Sequence, residues 1–216
     1  IAVARRRERL EKLATETGCE FFDCDLTDRN AVEEMVAELL AKGPLTAVVN
    51  NAGGAIGTDS VADGKVEDWE QMYQRNVVTA LNVTQATLPT LRENGGDLLY
   101  VTSTAALDTY PGGGGYVSAK HAEQMIPLTL RQELVGEPVR LIEIAPGMVK
   151  TPEFSLNRLG SREAAEQVYR GVEKPLVAAD IADLISWCLS RPPHVNIDRV
   201  IIRPVAQATN TLVARD

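Results

Sequence analysis

Tyr116 and Lys120 lie four residues apart at the end of the stretch VTSTAALDTYPGGGGYVSAK, residues 101–120, in which Ser103 closes an apolar run. On a helix this spacing puts the two side chains on one face, about 6 Å apart at Cβ. An ammonium at that range favours the phenolate and lowers the phenol pKa from its usual value of roughly 10. The pair therefore predicts a tyrosine that works as general acid or base near neutral pH. Taken singly, these residues have plainer readings. A Tyr-Lys pair is most often a solvated helix face, Ser103 a turn former at a strand end, and Asn76 a helix-surface or capping amide.

What gives them weight is the set of elements that must position them. Residues 1–4 read as the tail of a strand, followed by a helix with Leu10, Leu13 and Ala14 inward and Gly18 as its stop. CEFFDCD is a short strand. Thr27 or Asp28 then caps a helix whose Val32, Met35, Val36, Leu39 and Leu40 form one buried stripe, ended by Gly43 and Pro44. LTAVVN is continuously apolar, as a parallel strand covered on both faces would be. A long helix is expected over residues 66–93, with Pro89 marking a kink or late break. DLLYVTS and VRLIEIAP are two more buried strands, Asp180 caps a helix with Ile181, Leu184, Ile185, Cys188 and Leu189 inward, and RVIIRP is a last strand. Such alternation predicts an α/β fold with a doubly wound parallel sheet and helices on both faces.

In that architecture ligands bind at the carboxyl ends of the strands. Asp25, Asn50 to Gly53, Ser103, and Pro146 and Gly147 with Thr151 behind them all fall at such ends, so small and polar residues converge on one crevice.

Composition narrows the rest. The 216 residues are 44% hydrophobic, carry a formal charge of −8 and show no polar linker, which predicts one domain over residues 1–216. The acidic balance argues against a nucleic-acid partner, because the single basic cluster, Arg5, Arg6, Arg7 and Arg9, is short. Three cysteines without a CxxC pair, and two histidines, His121 and His194, in unrelated settings, suggest neither a disulfide framework nor a metal site. No run approaches the ~18 apolar residues of a membrane span. A cytoplasmic protein with a small-molecule substrate is the expectation.

The motifs NNAG at residues 50–53, Asn76, Ser103, YVSAK at 116–120 and PGMVKT at 146–151, in this order, resemble the short-chain dehydrogenase/reductases of the Rossmann type. The resemblance implies that Tyr116 exchanges a proton with the substrate oxygen while a hydride passes between its carbon and a nicotinamide. It implies that Ser103 orients the same oxygen, that Lys120 depresses the Tyr116 pKa and bonds the nicotinamide ribose, and that Asn76 holds a water linking Lys120 to solvent. By the same carry-over, Asp25 and Leu26 flank the adenine, and Asn51, Ala52 and Gly53 line the adenosine ribose and phosphate side. Pro146, Gly147, Val149 and Thr151 form the segment that holds the carboxamide and phosphates, and Tyr116 and Lys120 also touch the cofactor. Arg5 and Arg6 follow the first strand where an acid would select NAD, so NADP is favoured over NAD. The C-terminal half, with EIAPGMVKTPEFSLNR and PPHVNIDRVIIRPVAQ, resembles the branch oxidising 3-hydroxy acids with NADP, which suggests a small 3-hydroxy or 3-oxo substrate and a homotetramer or homodimer.

One part of the family pattern has no counterpart. The TGxxxGxG turn, the strand before it and the helix after it are absent from these residues, and a segment of roughly forty residues would supply them. Cofactor affinity is expected to suffer accordingly. The competing expectation is a non-catalytic dinucleotide-binding or scaffold protein of this fold, or an inactive fragment. The glycines at 112–115 are expected to form a flexible wall of the substrate site, with Trp69 and Trp187 as packing residues.

Overall fold

The structure is a computed structural model that describes residues 1–216. Strand β1 (Ala2–Ala4) leads into α1 (Arg7–Thr17), which Gly18 stops by taking up φ 73°, the left-handed conformation that glycine adopts freely. Strand β2 (Phe21–Asp23) pairs in parallel with β1. Helix α2 (Arg29–Lys42) starts on Asp28, whose carboxylate accepts the Asn30 and Ala31 N–H groups at 2.9 and 3.2 Å.

Strand β3 (Ala47–Asn50) opens a second parallel sheet of order β3-β4-β5-β8, completed by β4 (Gly96–Val101), β5 (Val139–Pro146) and β8 (Arg199–Ile202). Between β3 and β4 run α3 (Val66–Tyr73), a π-helical turn (Gln74–Val78) and α4 (Thr79–Asn94). Helix α5 (Gly114–Glu133) follows a 3-10 turn (Thr104–Ala106), and α8 (Ala178–Leu189) precedes β8.

Alternation along the central strands builds the core. Leu98 and Tyr100 of β4 pack with Leu141 of β5 and Leu91 of α4 on one face. Leu99 and Val101 pack with Ile142, Ile144 and Cys188 of α8 on the other. Both faces of β4 and β5 are covered, as a doubly wound parallel sheet requires.

Several expectations need correction. The long helix is interrupted by the π turn, and Pro89 sits inside α4 without ending it. β3 is covered on one side only. Val48 packs beside Leu88 and Tyr100, but Val49 is 40% exposed because β3 is an edge strand with no helix on its second face. β1 likewise pairs only with β2. Leu13 and Leu40, assigned to inner faces, are exposed. Asp180 is the third residue of α8 rather than its cap; its carboxylate reaches back to accept the Val177 N–H at 2.8 Å. Gly114 and Gly115 form the first turn of α5 instead of a loop. A Cβ on Gly115 would lie 2.3 Å from Met72 Cε and 3.2 Å from the Trp69 ring, so glycine lets α5 dock on α3, and Trp69 does serve packing.

A lid closes the carboxyl end of the sheet. It consists of β6 (Val149–Lys150), α6 (Phe154–Leu159), α7 (Arg162–Gln167) and β7 (Leu176–Val177), with β6 and β7 paired in parallel. The chain after β8 folds back over this end. Gln207 Oε1 accepts the Met148 N–H at 2.7 Å, Asn210 bonds Thr104 twice, and the Asp216 N–H reaches Gly171 O at 3.0 Å. No helix is long and apolar enough to cross a membrane.

Candidate active site

Helix periodicity brings Tyr116 and Lys120 to one buried face of α5, where they are 7% and 4% exposed. Lys120 Nζ lies 6.0 Å from the centre of the Tyr116 ring, and Phe154 of the lid packs edge-on against that ring at 5.7 Å. Ser103, directly after β4, heads the 3-10 turn, with its hydroxyl accepting the Ala105 N–H at 3.1 Å and lying within hydrogen-bonding reach of the Tyr116 phenol. Asn76 occupies the π turn, fully buried. Turns of that kind recur where a helix has to present a side chain to a site. Asn76 Oδ1 accepts the Gly54 N–H at 3.1 Å, and its Nδ2 donates to Gly54 O at 2.8 Å and Met72 O at 2.7 Å. A Cβ on Gly53 would stand 2.5 Å from Asn76 Oδ1 and 3.5 Å from Lys120 Nζ, so the glycine is what allows the loop after β3 to touch both. Four residues expected together are together.

The electrostatics depart from the expectation in sign. Burial pushes the Tyr116 phenol above its ordinary pKa, and this outweighs the lowering by Lys120 and by the Ser103 hydrogen bond. Lys120 is also less free to act than spacing alone implied. Its Nζ donates to Glu123 Oε2 at 2.6 Å and to Val101 O at 3.2 Å. Burial works against the ammonium, yet Glu123 and Tyr116 together raise its pKa above the usual value. Burial raises the Glu123 carboxyl too, against the pull of Lys120. Behind Glu123 lies a second buried carboxylate, Glu143, which accepts from Thr102 at 2.7 Å, Gln124 at 2.9 Å and Arg199 at 2.7 Å. Sequence reasoning missed Glu123. The available signal was its i,i+3 spacing from Lys120, which on its own describes any surface ion pair.

The expected cofactor residues line the carboxyl ends of β1, β2, β3 and β5. Asp25 accepts the Thr27 N–H and hydroxyl at 3.0 and 2.8 Å, bonds that hold its carboxyl below the usual range. Asn82 of α4 anchors the Leu26 carbonyl at 3.0 Å. Asn51, Ala52 and Gly53 follow β3 in an open loop. Beside them the Asn50 Nδ2 is buried and has no partner, and an orphaned donor at a strand end fits an oxygen-rich ligand such as a dinucleotide. Pro146 ends β5, and Gly147 lies so close to the C-terminal tail that a Cβ there would come within 2.2 Å of Gln207 Oε1. Val149 opens β6, and Thr151 Oγ1 accepts the Phe154 N–H at 3.2 Å. Of the two expected phosphate-binding arginines, Arg5 is exposed without an ion pair. Arg6 already holds Glu153 of the lid at 2.6 Å, joined there by Arg9, so a phosphate would have to displace a carboxylate from Arg6.

A half-buried serine with a buried tyrosine and lysine at the carboxyl end of a parallel sheet can position one oxygen and move one proton. Residues 1–159 match the family described as short chain dehydrogenase. The chain belongs to the short-chain dehydrogenase family. Among similar proteins is an uncharacterized oxidoreductase of Mycobacterium tuberculosis, 48% identical over 211 residues, covering 97% of this chain and 82% of the relative. Serine 3-dehydrogenase of Agrobacterium fabrum is 40% identical over 212 residues, covering 96% of this chain and 84% of that protein. The solved closed form of a serine dehydrogenase complexed with NADP+ superposes with a TM-score of 0.92 at 35% identity, over 100% of this chain and 88% of the other. Rossmann-type architecture in this short-chain dehydrogenase is thus shared with an enzyme of related sequence.

Proposed function

We propose that this short-chain dehydrogenase transfers a hydride between NADP and a small alcohol or carbonyl compound, with a 3-hydroxy acid as the substrate class. The observation carrying this reading is the convergence of half-buried Ser103 with buried Tyr116, Lys120 and Asn76 at the carboxyl end of β4. The serine dehydrogenases among the similar proteins, one of them solved with NADP+, support both the cofactor and the acid.

In this reading Arg5, Arg6, Asp25, Leu26, Asn51, Ala52, Gly53, Pro146, Gly147, Val149 and Thr151 hold the dinucleotide, with Arg5 and Arg6 favouring the 2′-phosphate of NADP over NAD. When bound, the nicotinamide supplies the hydride acceptor or donor. Ser103 donates a hydrogen bond to the substrate oxygen and fixes its place, stabilising negative charge that develops there. Tyr116 Oη takes the hydroxyl proton in oxidation and returns it in reduction. Lys120 stabilises the phenolate and also reaches the cofactor ribose, Glu123 anchors the ammonium, and Asn76 fixes Gly54 so that the loop after β3 stays against Lys120. Phe154 and the lid exclude water from the phenol. One domain over residues 1–216 carries the site. Assembly as a homodimer or homotetramer would cover Leu81 on α4 and Met125 and Leu128 on α5, which are exposed.

NADPH fluorescence titration, followed by a screen of serine, other 3-hydroxy acids and simple alcohols with NADP, tests the reading. Saturable binding with turnover of a 3-hydroxy acid is expected. Absence of dinucleotide binding would instead leave a scaffold of the same fold.

A further inference from the structure

Arg158, in the last turn of α6, places its guanidinium carbon 5.8 Å from the centre of the Tyr116 ring and 5.6 Å from that of Tyr110. Its Nε donates to Gly57 O at 3.1 Å, Nη1 to Tyr110 Oη at 3.2 Å and Nη2 to Gly112 O at 3.2 Å. All three acceptors are neutral. A guanidinium has five N–H donors in a planar fork, so two remain for a further acceptor. The side chain is half-buried, yet no carboxylate stands within ion-pair distance of it in a chain with 30 acidic residues. Glu153, the residue just before α6, is taken by Arg6 and Arg9. A partly desolvated cation without a counter-charge is unfavourable unless something anionic completes it.

We propose that Arg158 binds the carboxylate of the substrate and makes the site selective for short 3-hydroxy acids over neutral alcohols of the same size. This rests on the oxidoreductase reading above. With the hydroxyl of such an acid at Ser103 and Tyr116, its carboxylate would lie two carbons from the carbinol carbon, and Arg158, its guanidinium carbon 5.8 Å from the centre of the Tyr116 ring, is the cation without a counter-charge beside that phenol. The bonds to Gly57 and Gly112 fix the guanidinium before the ligand arrives, and the Gly57 N–H returns a bond to Arg158 O at 2.8 Å, so the cation is pre-organised. Carboxylate recognition by two parallel N–H bonds is also what a guanidinium does better than an ammonium. Arg158 is thereby a specificity residue, and the lid carries it to the substrate.

The test compares 3-hydroxypropanoate with its neutral counterpart 1,3-propanediol in the unaltered enzyme, Arg158→Met and Arg158→Lys. Losing one partner of a partly buried charge pair should lower kcat/KM for the acid roughly 100-fold in Arg158→Met, mainly through KM, and change the diol less than about threefold. Arg158→Lys should recover part of the acid activity. An equal fall for both substrates would make Arg158 a brace for the lid and overturn the proposal, as would no fall for either. Should Arg158→Met fail to fold, malonate decides in the unaltered enzyme: competition against 1,3-propanediol supports the assignment and its absence contradicts it. Turnover of the diol but not the acid defeats this inference alone, whereas no turnover of any alcohol with NADP defeats the functional reading beneath it.

Discussion

Arg140 and Arg158 bring guanidinium groups to opposite ends of the sheet, and they are treated in opposite ways. At the amino end, Arg140 grips both Asp97 oxygens at 2.6 and 2.5 Å and gives its remaining N–H groups to the carbonyls of Leu189, Arg191 and Val195. Its donors are saturated, it is neutralised in place, and it ties β5 to β4 and to the turn after α8. At the carboxyl end Arg158 meets only neutral acceptors, Asn50 keeps an orphaned Nδ2, and the Tyr116 phenol is held above its ordinary pKa by burial. A polar group that completes its bonding at home contributes stability and specificity of packing. One left incomplete beside a proton donor is available to a ligand.

The contrast breaks most visibly at the saturated end. Asp97→Ala leaves the Arg140 guanidinium buried without its partner, a change that costs about 3–5 kcal/mol in urea unfolding, with substrate KM unaltered in the folded fraction. Ser103→Ala should do the reverse. It removes a donor aimed at the reacting oxygen and lowers kcat about 10²–10³-fold, while costing only about 1 kcal/mol of stability through the lost cap on Ala105.

Glu123→Gln sharpens the account of pH. The negative charge of Glu123 raises the Tyr116 pKa and opposes Lys120, so removing it lowers the phenol pKa. Oxidation needs the phenolate, so kcat/KM rises with pH, and that rising limb should move to lower pH in the variant. A limb that stays in place or moves upward would detach Glu123 from the proton-transfer group. The smallest effect is expected at the lid. Glu153→Gln frees Arg6 from an exposed pair and should tighten NADPH binding by less than about tenfold, leaving the urea midpoint unchanged.

How far the sequence reveals this differs between parts of the molecule. Ser103, Tyr116 and Lys120 were readable because helical spacing and the strand-end rule fix where they fall without any knowledge of distant contacts, whereas Asn76, inside the π turn, was picked out only by the resemblance to the short-chain dehydrogenases. Leu98 to Val101 was readable as part of a covered strand because a continuous apolar run has few alternatives, whereas in Val139 to Ile144 the run is broken by Arg140 and Glu143, which are buried on partners of their own. Val49 belongs to the same kind of run and is exposed, since coverage depends on which elements lie alongside and not on the strand itself. Glu123 looked like one half of a solvated i,i+3 pair, and only burial turns it into the anchor of Lys120. The direction of the Tyr116 shift failed for the same reason: spacing shows the neighbouring charge but not the desolvation that outweighs it. Arg158 lies in an excursion whose path over the site is set by long-range bonds to Gly57, Tyr110 and Gly112, more than forty positions away.

Tyr116→Phe bears most directly on the central claim, that the carboxyl end of the sheet is a proton-transfer site. The substitution keeps the ring against Phe154 and removes only the hydroxyl. Steady-state turnover together with NADPH titration should show kcat falling about 10²–10⁴-fold with the dinucleotide bound as before. A variant that turns over at the original rate would contradict the assignment.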